Sequence, residues 1–339
     1  MKTLRYVGVS ALIFLLLTAC QPVKKEYRKI SGFAQGTDYH ITYETDKGKD
    51  YSEDIAEILK KFDKSLSIYD STSIISRINR NEPNVKIDNW FERVYNKSIE
   101  INQLSGGAFD ITVGPVVRAW GFTTAPVARY DSAYIDSLRQ FVGMEKIKLE
   151  NGTIVKSMTG TMIDVNAIAQ GFSVDVVCDF LEDEGVDNYL VEIGGEVRGK
   201  GVNAKGNFWR IGIDKPADGN MVAGQELEAI VEIQNKSIAT SGNYRKFFVE
   251  NGVKYSHTIN PKTGRPAMNK LLSATVVADD CMTADALATS FMVLGTDNAK
   301  ELLTKLPGIE VLFISDGSNG KYELYYTEGM KKMIMELAQ

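Results

Sequence analysis

Asp285 and Thr289 stand four residues apart in a stretch with helical spacing, which sends a carboxylate and a hydroxyl out of the same helix face. A hard cation such as Mg²⁺ takes oxygen ligands. It accepts one or two protein carboxylates and leaves the rest of its octahedron to phosphate oxygens and water. The pair suits a cation resting on a diphosphate, although the same spacing also serves a solvated helix face or a local hydrogen bond. The chain has only two histidines, His40 and His257. That excludes a multi-histidine metal site, so any metal is expected to be held by oxygen.

Two further segments are dense in polar and turn-forming residues: 241–245 (Ser-Gly-Asn-Tyr-Arg) and 256–266, which opens on Ser256-His257. Such loops carry function when a rigid scaffold holds them, and they also simply turn the chain. Gly194-Gly195 and the run Gly106-Gly107-Ala108-Phe109-Asp110 offer backbone N–H groups to a ligand without naming it. Neither GxGxxG nor GxxxxGK[ST] occurs, so a Rossmann or P-loop nucleotide site is not supported.

The elements that must position these residues follow from apolar periodicity. Ile55, Leu59, Phe62 and Leu66 predict a helix over 52–66, and Trp90, Phe91, Val94 and Ile101 predict a second, capped by Asp88 and stopped at Ser105-Gly106-Gly107. Ile168, Phe172, Val176 and Phe180 predict a helix over 167–184 ending at Gly185, and 283–294 reads as another. Strands are expected at 33–43, 162–165, 189–193, 209–213, 227–233, 247–250, 254–258, 272–278, 311–314 and 322–326, with Asn251-Gly252 a hairpin turn. Strands and helices alternate without a regular βαβ rhythm. The class is therefore α+β, with mixed sheets and flanking helices in one compact unit whose two lobes share a central cleft.

Lys2 and Arg5 precede an apolar run from Tyr6 to Leu17, too short to span a membrane and laid out as a secretory signal peptide over 1–19. Leu17-Thr18-Ala19-Cys20 resembles the bacterial lipobox, which implies that Cys20 is lipidated. Acyl chains bury about 0.8 kcal/mol per methylene and would anchor the protein on the exported, periplasmic side of a membrane. Residues 20–30 read as a polar tether and 31–339 as the folded domain. A net charge of −5 without basic blocks gives a nucleic-acid partner no electrostatic footprint. Cys178 and Cys281 read as buried thiols, with no spacing argument for a bridge.

Taken in order, these motifs resemble the FAD:protein FMN transferase family, also called ApbE-like. The resemblance runs from Gly36-Thr37 through Phe62-Asp63, Tyr69, 107–115, Trp120-Gly121-Phe122, Asp164, Gly171, Asp175, Gly194-Gly195, Ser241-Gly242, Tyr244-Arg245, Ser256-His257 and 261–266 to Ala284-Asp285 and Leu294-Gly295. It implies FAD as substrate, Mg²⁺ held by Asp285, Thr289 and the Ala167 carbonyl, and an FAD site lined by Gln35, Tyr69, Ala108, Phe109, Asp110, Asp164, Gln170 and Ile259. His257 is then the candidate base or proton relay. The implied reaction moves FMN onto a Thr or Ser hydroxyl of an acceptor protein and releases AMP. With family and compartment together, that acceptor is expected to be a respiratory electron-transfer subunit. The alternatives are an Mg²⁺-dependent FAD diphosphatase, with water as acceptor, and a flavin-binding lipoprotein without turnover. The sequence departs from the family at Gln35 for methionine, Gln170 for lysine, Asp164-Val165-Asn166-Ala167 for Asp-Leu-Gly-Gly, and Asn260 for aspartate. The lysine exchange removes a positive charge near the diphosphate.

Overall fold

An eight-stranded sheet forms the middle layer of the molecule, its strands side by side in chain order: β1 (Glu26–Ala34), β2 (Thr37–Thr45), β3 (Tyr189–Ile193), β4 (Glu196–Lys200), β5 (Lys236–Gly242), β6 (Leu271–Ala278), β7 (Glu310–Asp316) and β8 (Tyr322–Tyr326). Each pairs antiparallel with the next. The helices are α1 (Ser52–Leu66), α2 (Ile74–Asn79), α3 (Asn89–Leu104), α4 (Gly114–Ala119), α5 (Ser132–Leu138), α6 (Ala169–Asp183), α7 (Cys281–Leu303) and α8 (Glu328–Met333). The structure, a computed structural model, describes residues 26–46, 48–122, 132–217, 219–220, 222, 224–243, 247–250, 253–318 and 321–337. The signal peptide, Cys20, Tyr244-Arg245 and the Asn251-Gly252 turn lie outside these residues.

β6 shows why its sheet is a middle layer. Ala274 and Val276 join one apolar cluster and Val277 another, all three buried, and a strand apolar on both faces needs cover on both. One cover is α6 and α7, backed by α1 and α3. The other is α8 with a three-stranded antiparallel sheet of Trp209–Asp214, Leu227–Ile233 and Ile334–Leu337. A smaller cluster of Val116, Trp120, Ile135 and Ile259 joins α4 and α5 to the paired strands Ile259–Asn260 and Arg265–Pro266, and Trp120 Nε1 donates to the Gly264 carbonyl at 2.7 Å.

The α+β class holds, while mixed pairing is met among the described residues only by a single parallel bridge, Val113 to Met162. That bridge is also all that forms where 162–165 reads as a strand. The run 33–43, which reads as one strand, is a hairpin turn with parts of both arms. Gln35 (φ 55°) and Gly36 (φ 76°) are both left-handed, as a two-residue type I′ connection requires. Residues 26–29, read as tether, belong to the first arm, where Ile30 is buried opposite Ile41. The helix expected at 283–294 begins two residues earlier on an Asp280 cap and continues past Gly295 (φ 73°), which kinks it one residue beyond its expected end. Cys178 and Cys281 are free, buried thiols. Among the described residues no helix is long and apolar enough to cross a membrane.

Candidate active site

The antiparallel order brings the ends of three strands to one end of the sheet: the Gln35-Gly36 turn after β1, the Gly194-Gly195 turn after β3, and Ser241-Gly242 at the end of β5. The start of α6 and the first two turns of α7 meet there. Asp285 is 5 % exposed, and its Oδ2 accepts the Gly171 N–H at 3.0 Å. No hydrogen bond reaches its other oxygen among the described residues. Burial, with the Asp175 carboxylate adding to it, pushes Asp285 up to about 7, against the pull of the Gly171 N–H. One turn on, the Thr289 hydroxyl lies 3.2 Å from Ser241 Oγ. Ala167, one turn before Gly171, opens the turn into α6. No group of three or more acidic, histidine or cysteine side chains gathers among the described residues. One buried carboxylate beside neutral oxygens is a donor set that fits Mg²⁺ keeping phosphate and water ligands.

Gln35 and Gln170, two of the departures from the family pattern, meet on one serine. Ser173 Oγ lies 3.1 Å from Gln35 Oε1 and 2.7 Å from the Gln170 carbonyl, and the Gln170 amide reaches the Ile193 carbonyl at 3.4 Å. Gln35 Nε2 is buried without a partner among the described residues. A hydroxyl has one proton, so exchanging O and N of the Gln35 amide would let Ser173 donate to Gln170 and accept from Gln35. Either orientation leaves one polar atom of Gln35 unsatisfied at this end of the sheet.

A second group forms around Asp164, whose Oδ1 accepts the Asn166 N–H at 3.0 Å and whose own N–H donates to the Ile111 carbonyl at 2.7 Å. Asn79 pairs with the Ile163 peptide through both ends of its amide, at 2.7 and 2.8 Å, pinning this segment. Asn166 Nδ2 reaches Tyr69 OH at 3.4 Å, and the Tyr69 ring is 59 % exposed, a large apolar face left in solvent. The Ile111 bond and the Val113 bridge tie this group to the third. There Ala108 and Phe109 are buried, Asn102 and Ser105 hold the Phe109 backbone, and Asp110 accepts from the N–H and hydroxyl of Thr112. Burial raises the Asp110 carboxyl above its ordinary range. A cavity of about 290 Å³ opens beside it between Gly107, Gly143, Met144, Pro261 and Lys262. Ile259 is buried in the small lobe, and His257 sets its ring edge-to-face with Phe122, 6.3 Å between centroids.

Direct contacts thus join Asp285, Gly171, Gln170, Ser173 and Gln35, and separately Asp164, Asn166 and Tyr69; backbone bonds link the second set to the segment carrying Asp110. Ser173 and Asn79 are not among the residues that the sequence singles out: Gln35 and Ile163, which they hold, lie far away in the chain, so no spacing signals them.

The α+β fold around the central sheet is shared with solved structures of the ApbE family. The chain belongs to that family, whose model matches residues 35–313. The curated FAD:protein FMN transferase of Vibrio cholerae is 38% identical over 316 residues, covering 89% of this chain and 92% of that protein. The solved flavin transferase ApbE from Vibrio cholerae superimposes with a TM-score of 0.80 at 37% identity, over 91% of this chain and 99% of that one. The apo flavinyl transferase ApbE of Pseudomonas stutzeri gives 0.82 at 29% identity, over 94% and 100%.

Proposed function

We propose that this chain is an FAD:protein FMN transferase that moves the FMN part of FAD onto a Thr or Ser hydroxyl of an acceptor protein. The observation that carries the reading is Asp285: a buried carboxylate with one oxygen fixed by Gly171 and the other without a partner among the described residues, one turn from the Thr289 hydroxyl, in a member of this family. Asp285, Thr289 and the Ala167 carbonyl would hold Mg²⁺, which supplies positive charge against the diphosphate oxygens when bound. Gln35, Tyr69, Ala108, Phe109, Asp110, Asp164, Gln170 and Ile259 would line the FAD, with the exposed Tyr69 ring free to cover an aromatic face.

In the step itself the acceptor oxygen attacks the phosphorus of the FMN half. The bond from that phosphorus to the bridging oxygen breaks, and AMP leaves with the electron pair. His257 takes the hydroxyl proton. Asp285 touches no reacting atom of the acceptor and acts through charge and position. No covalent enzyme nucleophile is needed, since positioning and electrostatics supply most of the catalysis in such transfers.

Lipidation at Cys20 would anchor the protein on the periplasmic side of a membrane, and only residues 21–25 separate it from β1. That is a reach of at most about 20 Å, which holds the domain close to the bilayer. The site then favours acceptors on the same membrane, such as exported segments of respiratory electron-transfer subunits.

The test is incubation of the protein with FAD, MgCl2 and such an acceptor domain, reading AMP and acceptor mass, with Asp285→Ala beside it. Acceptor that gains one FMN only with intact Asp285 and Mg²⁺ supports the reading. AMP without labelled acceptor would replace it by a diphosphatase, and neither product by flavin binding alone.

A further inference from the structure

Asp285 lies in the second turn of α7, and α6 grips the start of that helix at two points. Gly171 and Asp175 lie four apart on one face of α6. Gly171 gives its N–H to Asp285, and a Cβ there would press on the Cys281 carbonyl and sit 2.7 Å from Asp285 Cβ. Asp175, 2 % exposed, accepts the Cys281 N–H at 3.0 Å and the Met282 N–H at 2.8 Å, while Arg198 of β4 pairs with it at 3.0 Å.

A helix start leaves its first N–H groups without intrahelical partners. Asp280 caps α7 by accepting from Thr283 at 2.7 Å and leaves the buried Cys281 and Met282 N–H groups to Asp175. Asp175 comes from a different helix, and a buried ion pair adds little net stability compared with apolar packing. Its distinctive effect is to lock the first turn of α7 in one place against α6.

We propose that Asp175 is a positioning residue for the cation site: by holding the Cys281 and Met282 N–H groups, it sets where Asp285 presents its free oxygen. This rests on the reading of Asp285 as a cation ligand.

The experiment titrates MgCl2 against the full chain, following melting temperature with FAD and AMP release with FAD and the acceptor domain, for wild type, Asp175→Asn, Leu181→Ala and Asp285→Asn. Asp175→Asn keeps the size of the side chain and turns one acceptor into a donor facing an N–H. The expected result is a half-saturating Mg²⁺ raised about 10-fold or more in both readouts, with the rate largely recovered at saturating Mg²⁺. Leu181→Ala, a core truncation on α6 away from the grip, is expected to lower the metal-free melting temperature yet keep the wild-type Mg²⁺ midpoint. If Asp175→Asn does not fold, Gly171→Ala disturbs the other point of the grip and is expected to raise the midpoint likewise. A wild-type midpoint in the folded grip variant, or an equal rise in Leu181→Ala, overturns the proposal. A wild-type midpoint in Asp285→Asn instead removes the cation reading on which it stands.

Discussion

Asp110 is half-buried, and its charge costs stability. Because its folded pKa is raised, the folded state holds the proton more tightly than the unfolded chain does, and stability falls as pH rises through the window above the ordinary carboxylate value. Asp110→Asn keeps the oxygen that accepts from Thr112 and does not titrate. The variant is expected to melt with wild type near pH 3 and above it at pH 8, while needing more FAD for half-maximal AMP release. Equal melting temperatures at pH 8 would show that the buried charge is fully compensated. Gln35 makes a parallel case through its backbone. Of the five described non-glycine residues with positive φ it is the only one that is not asparagine, and asparagine tolerates that region best. Gln35→Gly is expected to relieve about 1 kcal/mol of strain, raising the melting temperature, and to weaken FAD binding measured by flavin fluorescence. A lowered melting temperature would place the value of Gln35 in its contact with Ser173 instead.

At the scale of elements, α7 is capped twice, and the two caps can be separated. Asp280→Ala removes the bond to Thr283 and is expected to cost about 1 kcal/mol in denaturant unfolding. Since Asp175 still holds Cys281 and Met282, the Mg²⁺ midpoint is expected to stay near wild type; a large rise would assign the placing of Asp285 to Asp280. The same helix shows what sequence could give. Its Asp285–Thr289 spacing is local, so the shared face is readable from 3.6-residue periodicity, and so are α1, α3 and α6. β4 and β5 are not: Glu-Val-Arg-Gly-Lys and Lys-Ser-Ile-Ala-Thr-Ser-Gly look like loops, and only their neighbours in the sheet make them strands. The hairpin at Gln35-Gly36 stays hidden because the usual sign of a type I′ turn is Asn-Gly or Asp-Gly. The motif residues of the site are visible in the chain, but the Gln35–Ser173–Gln170 contact exists only once β1 and α6 are folded against each other.

For the whole molecule, the question is whether the small lobe and the end of the central sheet serve one ligand. Gln35, Gln170, Ser241 and Asp285 belong to the sheet end, while Asp110 and Ile259 stand with α4, α5 and the 259–266 segment. Besides the Asp164–Ile111 bond and the Val113–Met162 bridge, Phe109 and Ile111 pack into the main apolar core with Ile163, Val165 and Phe172. A ligand that touches both groups would protect them together. Amide hydrogen exchange measures this. With FAD and MgCl2 added, exchange is expected to slow at once in 35–37, 108–113, 162–171, 240–242 and 257–266, segments spread along the chain. Asp285→Ala should lose the protection in 162–171 and 240–242 first, because Gly171 bonds to Asp285 and Ser241 to Thr289 one turn on. Protection confined to the sheet end would mean that the small lobe, with Asp110, His257 and Ile259, faces the acceptor rather than FAD, and the FAD-lining roles of Asp110 and Ile259 would be withdrawn.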